Sequence, residues 1–199
     1  MAPTGVAIRD VREQLFVAAE RVLLRDGVTA LTSRAVTTEA GCAKGVLHRH
    51  FADFDAFLAE LVLDRIGWLR LRAEGLRDSA GTGAVVANLA ATLADLFGSV
   101  AVAIVALVIS RDELRARLRE AGSKGIPLLA EAAAGIAAYL AAERARGRIA
   151  PDADVDTLAP TLIGAAHLLF ASAGNTEPPA MTEVTKVVTA VVGGVVREG

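Results

Sequence analysis

Apolar positions recur every three to four residues along most of the chain and do not alternate over a strand's length, a pattern that predicts helices throughout. Ile8, Val11, Leu15, Ala18, Ala19 and Val22 share one stripe of a helix over 8–26, with Arg12, Glu13, Glu20 and Arg21 elsewhere. Gly27 follows as a left-handed stop. Thr32 is placed to cap a brief helix ending at Glu39. Ala40-Gly41-Cys42 then makes a tight turn, and a second brief helix runs from about Ala43 to Phe51. Asp53 caps a longer helix, carrying Phe57, Leu58, Leu61, Val62, Ile66 and Leu69 and reaching about Leu76. Residues 79–83 (SAGTG) are the clearest linker. Further helical windows lie near 84–98, 100–109, 111–121 and 126–146. The segment 147–153 breaks the run, and Asp154 caps a helix to about Ala173. A break from Asn175 to Pro179 precedes a last helix carrying Met181, Val184, Val187, Val188, Val191, Val192 and Val195. The expected fold is all-α with about nine helices: a small three-helix N-terminal unit, a connecting helix, and a larger C-terminal bundle.

Composition sharpens this. Apolar residues make up 53%, aromatic residues 4% and charged residues 22%, as in a soluble helical protein with a filled interior rather than a disordered chain. The net charge of −2 supplies no global attraction to nucleic acid or acidic membranes, so any such contact needs local charge. One cysteine, Cys42, excludes an internal disulfide and a cysteine zinc cage, and agrees with a reducing cytoplasm. At its turn it reads as a small packed residue. Arg9, Asp10, Arg12 and Glu13 come too early for a signal peptide. The uncharged stretch 96–110 is too short to span a bilayer. That at 157–176 is long enough but carries Pro160, Thr161, His167, Ser172 and Asn175, so it reads as a buried interface helix, and no membrane partner is expected.

Two brief helices joined through Ala40-Gly41-Cys42 have the proportions of a helix-turn-helix, whose second helix enters the major groove. Gly41 is expected there because a side chain would block the close crossing of the helices. From Ala40 to Ala52 there is no acidic residue, while Lys44, His48, Arg49 and His50 all occur, and phosphate contact requires such a carboxylate-free surface. Thr32, Ser33 and Arg34 offer hydroxyls, amides and a guanidinium at the start of the preceding helix. Gly45 lets the backbone approach closely, and Val46 can touch a thymine methyl.

Residues 32–58, TSRAVTTEAGCAKGVLHRHFADFDAFL, resemble the N-terminal domain of tetracycline-repressor (TetR) family regulators. The matching positions are Thr32, Arg34, Val36, Ala40-Gly41, Lys44-Gly45, Leu47, His50-Phe51 and an acidic residue at 55 before Phe57-Leu58. The helix 8–26 with Gly27 agrees as well, and the resemblance covers residues 8–76. It implies that Lys44, Gly45 and Val46 read bases, that His48 and His50 meet phosphates, and that Thr32, Ser33 and Arg34 meet the backbone. It departs at His48, where tyrosine is usual, and at Phe54, where lysine is frequent. At Ala43, where serine is common, a cap worth about 0.5–2 kcal/mol is forfeited. These departures give weight to an alternative, a helical ligand-binding or interaction protein with a degenerate DNA-binding head.

The remainder offers no catalytic constellation. His167 is isolated, and His48 and His50, two apart, point to different sides of a helix, so neither an enzyme, a metal nor a cofactor is expected. Trp68, Phe97, Ile104, Leu107, Val108, Tyr139, His167 and Phe170 are the candidate lining of a cavity for a small hydrophobic effector. Val155, Leu158, Leu162, Ala165, Ala166, Leu169 and Phe170 form one stripe and Val184, Val188, Val191 and Val195 another. The expectation is that these two helices pair across a two-fold homodimer axis, as the family uses. The run 111–120 (RDELRARLRE) reads as a solvated amphipathic helix, and Arg144, Arg146 and Arg148 as complements to a helix C-terminus. The expected division of labour is a DNA-binding domain over 1–52 and a ligand-binding and dimerisation domain over 53–199, linked by the helix 53–76. Together these describe a cytoplasmic repressor: a homodimer on a double-stranded DNA operator, released when the effector binds.

Overall fold

The structure is a computed structural model describing residues 4–98, 100–173 and 177–197, with side chains from Val11 onward. The side chain of Ile8 and the break at Asn175 lie outside the described residues. The elements are α1 (Thr4–Asp26), a 3-10 turn (Val28–Ala30), α2 (Ser33–Glu39), α3 (Gly45–His50), α4 (Phe54–Asp78) and α5 (Val85–Phe97), followed by α6 (Ala101–Ser110), α7 (Asp112–Glu120), α8 (Pro127–Ala145), α9 (Val155–Ala173) and α10 (Met181–Val192). The ten α-helices among the described residues correspond to the ten helical windows read from periodicity, in line with the expected total of about nine.

The expected caps form. Thr32 accepts from the Ala35 amide at 3.2 Å, Asp53 from Ala56 at 2.7 Å and Asp154 from Thr157 at 3.1 Å. Gly27 adopts φ +80° and its amide closes onto the Leu23 carbonyl, ending α1. The last helix stops at Val192, short of the expected Val195. Val195 lies in the following turn, where its carbonyl accepts from the Ala150 amide at 2.8 Å.

The chain packs as two compact units. One contains Met1–Asp64 and Ala103–Ser123. Its core is Leu15, Phe16, Ala19, Val22, Leu23, Val36, Leu47, Phe51, Phe57, Leu58, Leu61 and Val62, all buried. The rings of Phe16, Phe51 and Phe57 lie within 5.0–6.0 Å of one another, and Arg12 caps the Phe51 ring at 4.5 Å. Arg12 also donates to the His50 carbonyl and pairs with Glu60, fastening α1 to α3 and α4.

The other unit contains Arg65–Val102 and Lys124–Gly199. In it α9 packs on α8, α10 and α5, and α10 packs on α5. Residues 79–83 are not a free linker. They make a turn with Gly81 at φ +91° and Gly83 at φ +58°, the Gly81 amide donating to Glu143 at 3.1 Å and the Gly83 carbonyl accepting from Arg148. The arginines of 144–148 likewise divide their tasks. Arg146 binds the α8 carbonyl of Ala142 as expected, whereas Arg144 reaches the Ala153 carbonyl and Arg148 pairs with the buried Glu143 at 3.4 Å.

Candidate nucleic-acid interface and effector cavity

Leu47 explains how α3 is presented. It is buried, and by helical geometry the opposite side of so short a helix must face outward. Lys44, Gly45, His48 and Arg49 are exposed, and Val46 and His50 are half-buried. Of the α2 candidates, Thr32 and Arg34 are exposed while Ser33 is half-buried with its hydroxyl shielded from solvent. The Thr32 hydroxyl already serves as the α2 cap, so its phosphate-binding capacity is limited to its remaining lone pair and proton.

Two local features differ in cause from the sequence expectation. A Cβ added to Gly41 would meet nothing within 4 Å, so helix crowding does not require glycine there. Its φ of +65° does, since the left-handed region disfavours side chains. The helix α3 is shorter than expected, beginning at Gly45, and no side chain caps it; the Val46 amide turns back onto the Ala43 carbonyl at 2.9 Å instead.

Directly after α3 the acid-free window ends. One Asp53 carboxylate oxygen accepts from the Ala56 amide and the other from Arg117 at 2.8 Å; Asp55 accepts from the Arg111 Nε–H at 3.1 Å, and the Arg111 guanidinium lies 5.6 Å from the Phe54 ring centroid. The Ala56 amide above all, then Arg117, hold the Asp53 carboxyl below the ordinary carboxylate range against its partial desolvation. Leu114 and Leu118 of α7 are buried in the same unit, so α7 is docked rather than solvated all round. Its Glu113–Arg117 and Asp112–Arg115 pairs do form along the helix. Spacing alone could not show the arginines that reach α4.

In the second unit a cavity of about 510 Å³ opens between α4, α5 and α8. Its walls are mostly small or apolar, including Ala73, Leu76, Ala91, Ala132 and Gly135, with Trp68 as the aromatic member. Arg72 lies 4.3 Å over the Trp68 ring and pairs with Asp95 at 2.7 Å. Gly135 is needed for close packing, because a Cβ there would come within 2.6 Å of the Ala73 Cβ.

Of the eight expected lining residues, Trp68 lies on this cavity. Phe97, His167 and Phe170 form a separate cluster with centroid distances of 5.7–5.8 Å, in which burial pushes the His167 pKa down. Tyr139 is buried and its hydroxyl accepts from Asn88, itself a wall residue, at 3.0 Å; burial first, then the Glu143 carboxylate, push that hydroxyl up to about 12. Ile104, Leu107 and Val108 are core residues of the first unit.

The expected dimer stripe is also redistributed. Val155, Leu162, Ala166, Val184 and Val188 are buried inside the single chain, where α9 and α10 pack on each other and on α5 and α8. An apolar stripe in a sequence does not say which neighbour covers it. Leu158, Leu169 and Val191 remain half-buried, Leu168 is 69% exposed and Met181 51% exposed. The helix α9 also has the length and hydropathy of a membrane span, with Pro160 within it and a third of its apolar window buried.

Comparison with known proteins bears on the first unit most directly. Residues 15–61 match the model of bacterial regulatory proteins, tetR family. No curated protein matches the chain significantly in sequence. Solved structures extend the likeness to the whole tetR-type fold. A putative TetR-family regulator from Mesorhizobium loti superposes with a TM-score of 0.68 at 19% identity, over 94% of this chain and 95% of that one. Escherichia coli NemR in its reduced form gives 0.72 at 17% identity, over 94% and 97%. Bacillus subtilis FadR in complex with stearoyl-CoA gives 0.68 at 19%, over 92% and 98%. At these identities the likeness is one of fold, and the chain has the all-α fold of TetR-family transcriptional regulators.

Proposed function

We propose that the protein is a ligand-responsive transcriptional repressor that binds a palindromic DNA operator as a homodimer in the cytoplasm and lets go when a small apolar effector binds. The observation that carries this reading is the outward, acid-free surface of α3 within a tetR-family segment, where Lys44, Gly45, His48 and Arg49 are exposed. Lys44, Gly45 and Val46 are assigned to base edges. His48, Arg49, His50, Thr32 and Arg34 are assigned to the phosphate backbone through their side chains, and Ser33, whose hydroxyl is shielded, through its main-chain amide.

The cavity supports the effector half of the proposal, being of ligand size and apolar on most of its walls. FadR, which shares the fold, was solved with stearoyl-CoA. For the dimer, the exposed side of α9 and α10 with Leu168, Met181, Leu158, Leu169 and Val191 is the surface assigned to the partner, and Gly164 leaves room for close approach. In this division of labour 1–52 binds DNA and 53–199 senses and dimerises. An effector held against Trp68–Ser79 of α4 would displace that helix and alter the 34–36 Å spacing of the two recognition helices, about one turn of DNA. The effector must bind the DNA-free state better.

The deciding experiment is selection of bound sequences from random duplex DNA. A recovered palindrome with two half-sites supports the repressor, and absence of enrichment at low salt would leave a helical ligand-binding protein with an inactive head.

A further inference from the structure

The acid-free window over residues 40–52 is bounded by Asp53 and Asp55, which follow α3 directly in the chain. Even a fully extended backbone keeps Asp53 within about 11 Å of His50. That is close to the screening length of about 8–10 Å at 0.10–0.15 M salt, so bare carboxylates there would be felt by phosphates on the α3 surface. They are not bare. Arg117 donates to one oxygen of Asp53 at 2.8 Å while its Nε also pairs with Glu113 of its own helix at 3.4 Å, and Arg111 donates its Nε–H to Asp55 at 3.1 Å with Nη2 3.0 Å from the same oxygen. All four side chains are only partly exposed. Both arginines come from α7, more than fifty residues downstream, whose Leu114 and Leu118 are buried within the same compact unit.

We propose that Arg111 and Arg117 act as counter-charges to Asp53 and Asp55 at the start of α4, so that DNA affinity depends on α7 staying docked there. The inference rests on the DNA-binding reading above and adds a positioning role that α3 cannot supply. Neither arginine has to touch DNA. Undocking α7 would leave two carboxylates beside the reading surface, which lowers affinity through like-charge repulsion. The segment 103–123 joins the second unit at both of its ends, so events there have a covalent route to this control point.

Charge can be separated from structure because asparagine caps a helix as well as aspartate does. Asp53→Asn therefore removes the charge while keeping an acceptor for the Ala56 amide. The full chain and three variants are titrated with the operator duplex recovered by selection, at 50 mM and 300 mM salt: R111Q/R117Q, D53N/D55N, and all four substitutions together. R111Q/R117Q is expected to bind on the order of tenfold more weakly at 50 mM salt, with the gap closing at 300 mM. In the D53N/D55N background the same arginine changes should cost less than about twofold. Wild-type binding by R111Q/R117Q at low salt overturns the proposal. So does a loss that survives both high salt and the asparagine background, which would mean that α7 acts by packing alone. If the unaltered chain enriches no duplex, the DNA-binding reading fails first and takes this one with it; coupling absent in a chain that does bind removes only this one.

Discussion

The pairing of Glu143 with Arg148 makes a quantitative expectation possible. Glu143 is fully buried near the end of α8, Arg148 is about one-quarter exposed, and their charged atoms are 3.4 Å apart. The Glu143 oxygen that accepts from the Gly81 amide is also the one that faces Arg148, so Arg148 is the charged compensation for this carboxylate. At an effective dielectric of 20 the attraction at this distance is about 5 kcal/mol. Partial solvation of Arg148 and the desolvation cost of both ions leave a smaller net value. Removing one partner of such a pair is nevertheless costly, because the buried charge remains. Arg148→Met is expected to lower unfolding free energy by about 3 kcal/mol, or the melting temperature by about 6–12 °C for a chain of this size. Glu143→Met should cost about 2 kcal/mol, since Arg148 can turn toward water. The double variant should also lose only about 2 kcal/mol, not the sum, leaving a coupling of about 3 kcal/mol. Urea titrations followed by circular dichroism, at one fixed protomer concentration, read all four corners. Additivity within about 0.5 kcal/mol, or a loss below about 1 kcal/mol for Arg148→Met, would refute the claim that a charged pair fastens the 79–83 turn.

Three further outcomes are expected. His167 has its pKa lowered by burial, so its contribution to stability is complete above the unfolded value of about 6.5 and is lost as pH falls through the folded value; thermal stability should fall between pH 7.5 and 5.5 more steeply in the native chain than in His167→Gln, and parallel curves would refute this. Lys44→Ala should relax preference at one defined base position, whereas Arg34→Ala should weaken all duplexes alike and make the salt dependence shallower by about one unit. Gly41→Ala should cost about 1–2 kcal/mol from its left-handed backbone despite open space, and Gly135→Ala about 1–3 kcal/mol from contact with Ala73; melting curves of both variants check the pair, and a neutral Gly41→Ala would contradict the backbone argument.

What the sequence made legible was local. Thr32, Asp53 and Asp154 could be read as caps because a cap and the amide it satisfies lie within one turn. The order of the helices followed from periodicity, and the exposed α3 residues followed once Leu47 took the inward position. The cavity was less legible because its walls come largely from Ala73, Ala91, Ala132 and Gly135, whose role is to be small. Searching for large aromatic and aliphatic residues led instead to Phe97 and Phe170, which pack against each other, and to Leu107 and Val108, which fill the other unit's core. Nothing in the spacing of the α8 residues singles out Glu143. Only folding places it opposite Arg148 and the Gly81 amide.

Asp53 shows where the boundary of legibility falls. One of its oxygens satisfies the Ala56 amide, three residues away, and this is written in the sequence as an acid before an apolar helix. The other satisfies Arg117, sixty-four residues away, and no spacing rule connects them. The same carboxylate thus carries a local structural task that asparagine can perform and a long-range electrostatic task that it cannot. In the proposed DNA-binding role both tasks fall on one residue: the cap bond to Ala56 lies within one turn of α4, while the ionic partner of the same carboxylate comes from α7. Control of affinity through charge then requires no unfolding of the head, only an altered contact at its edge.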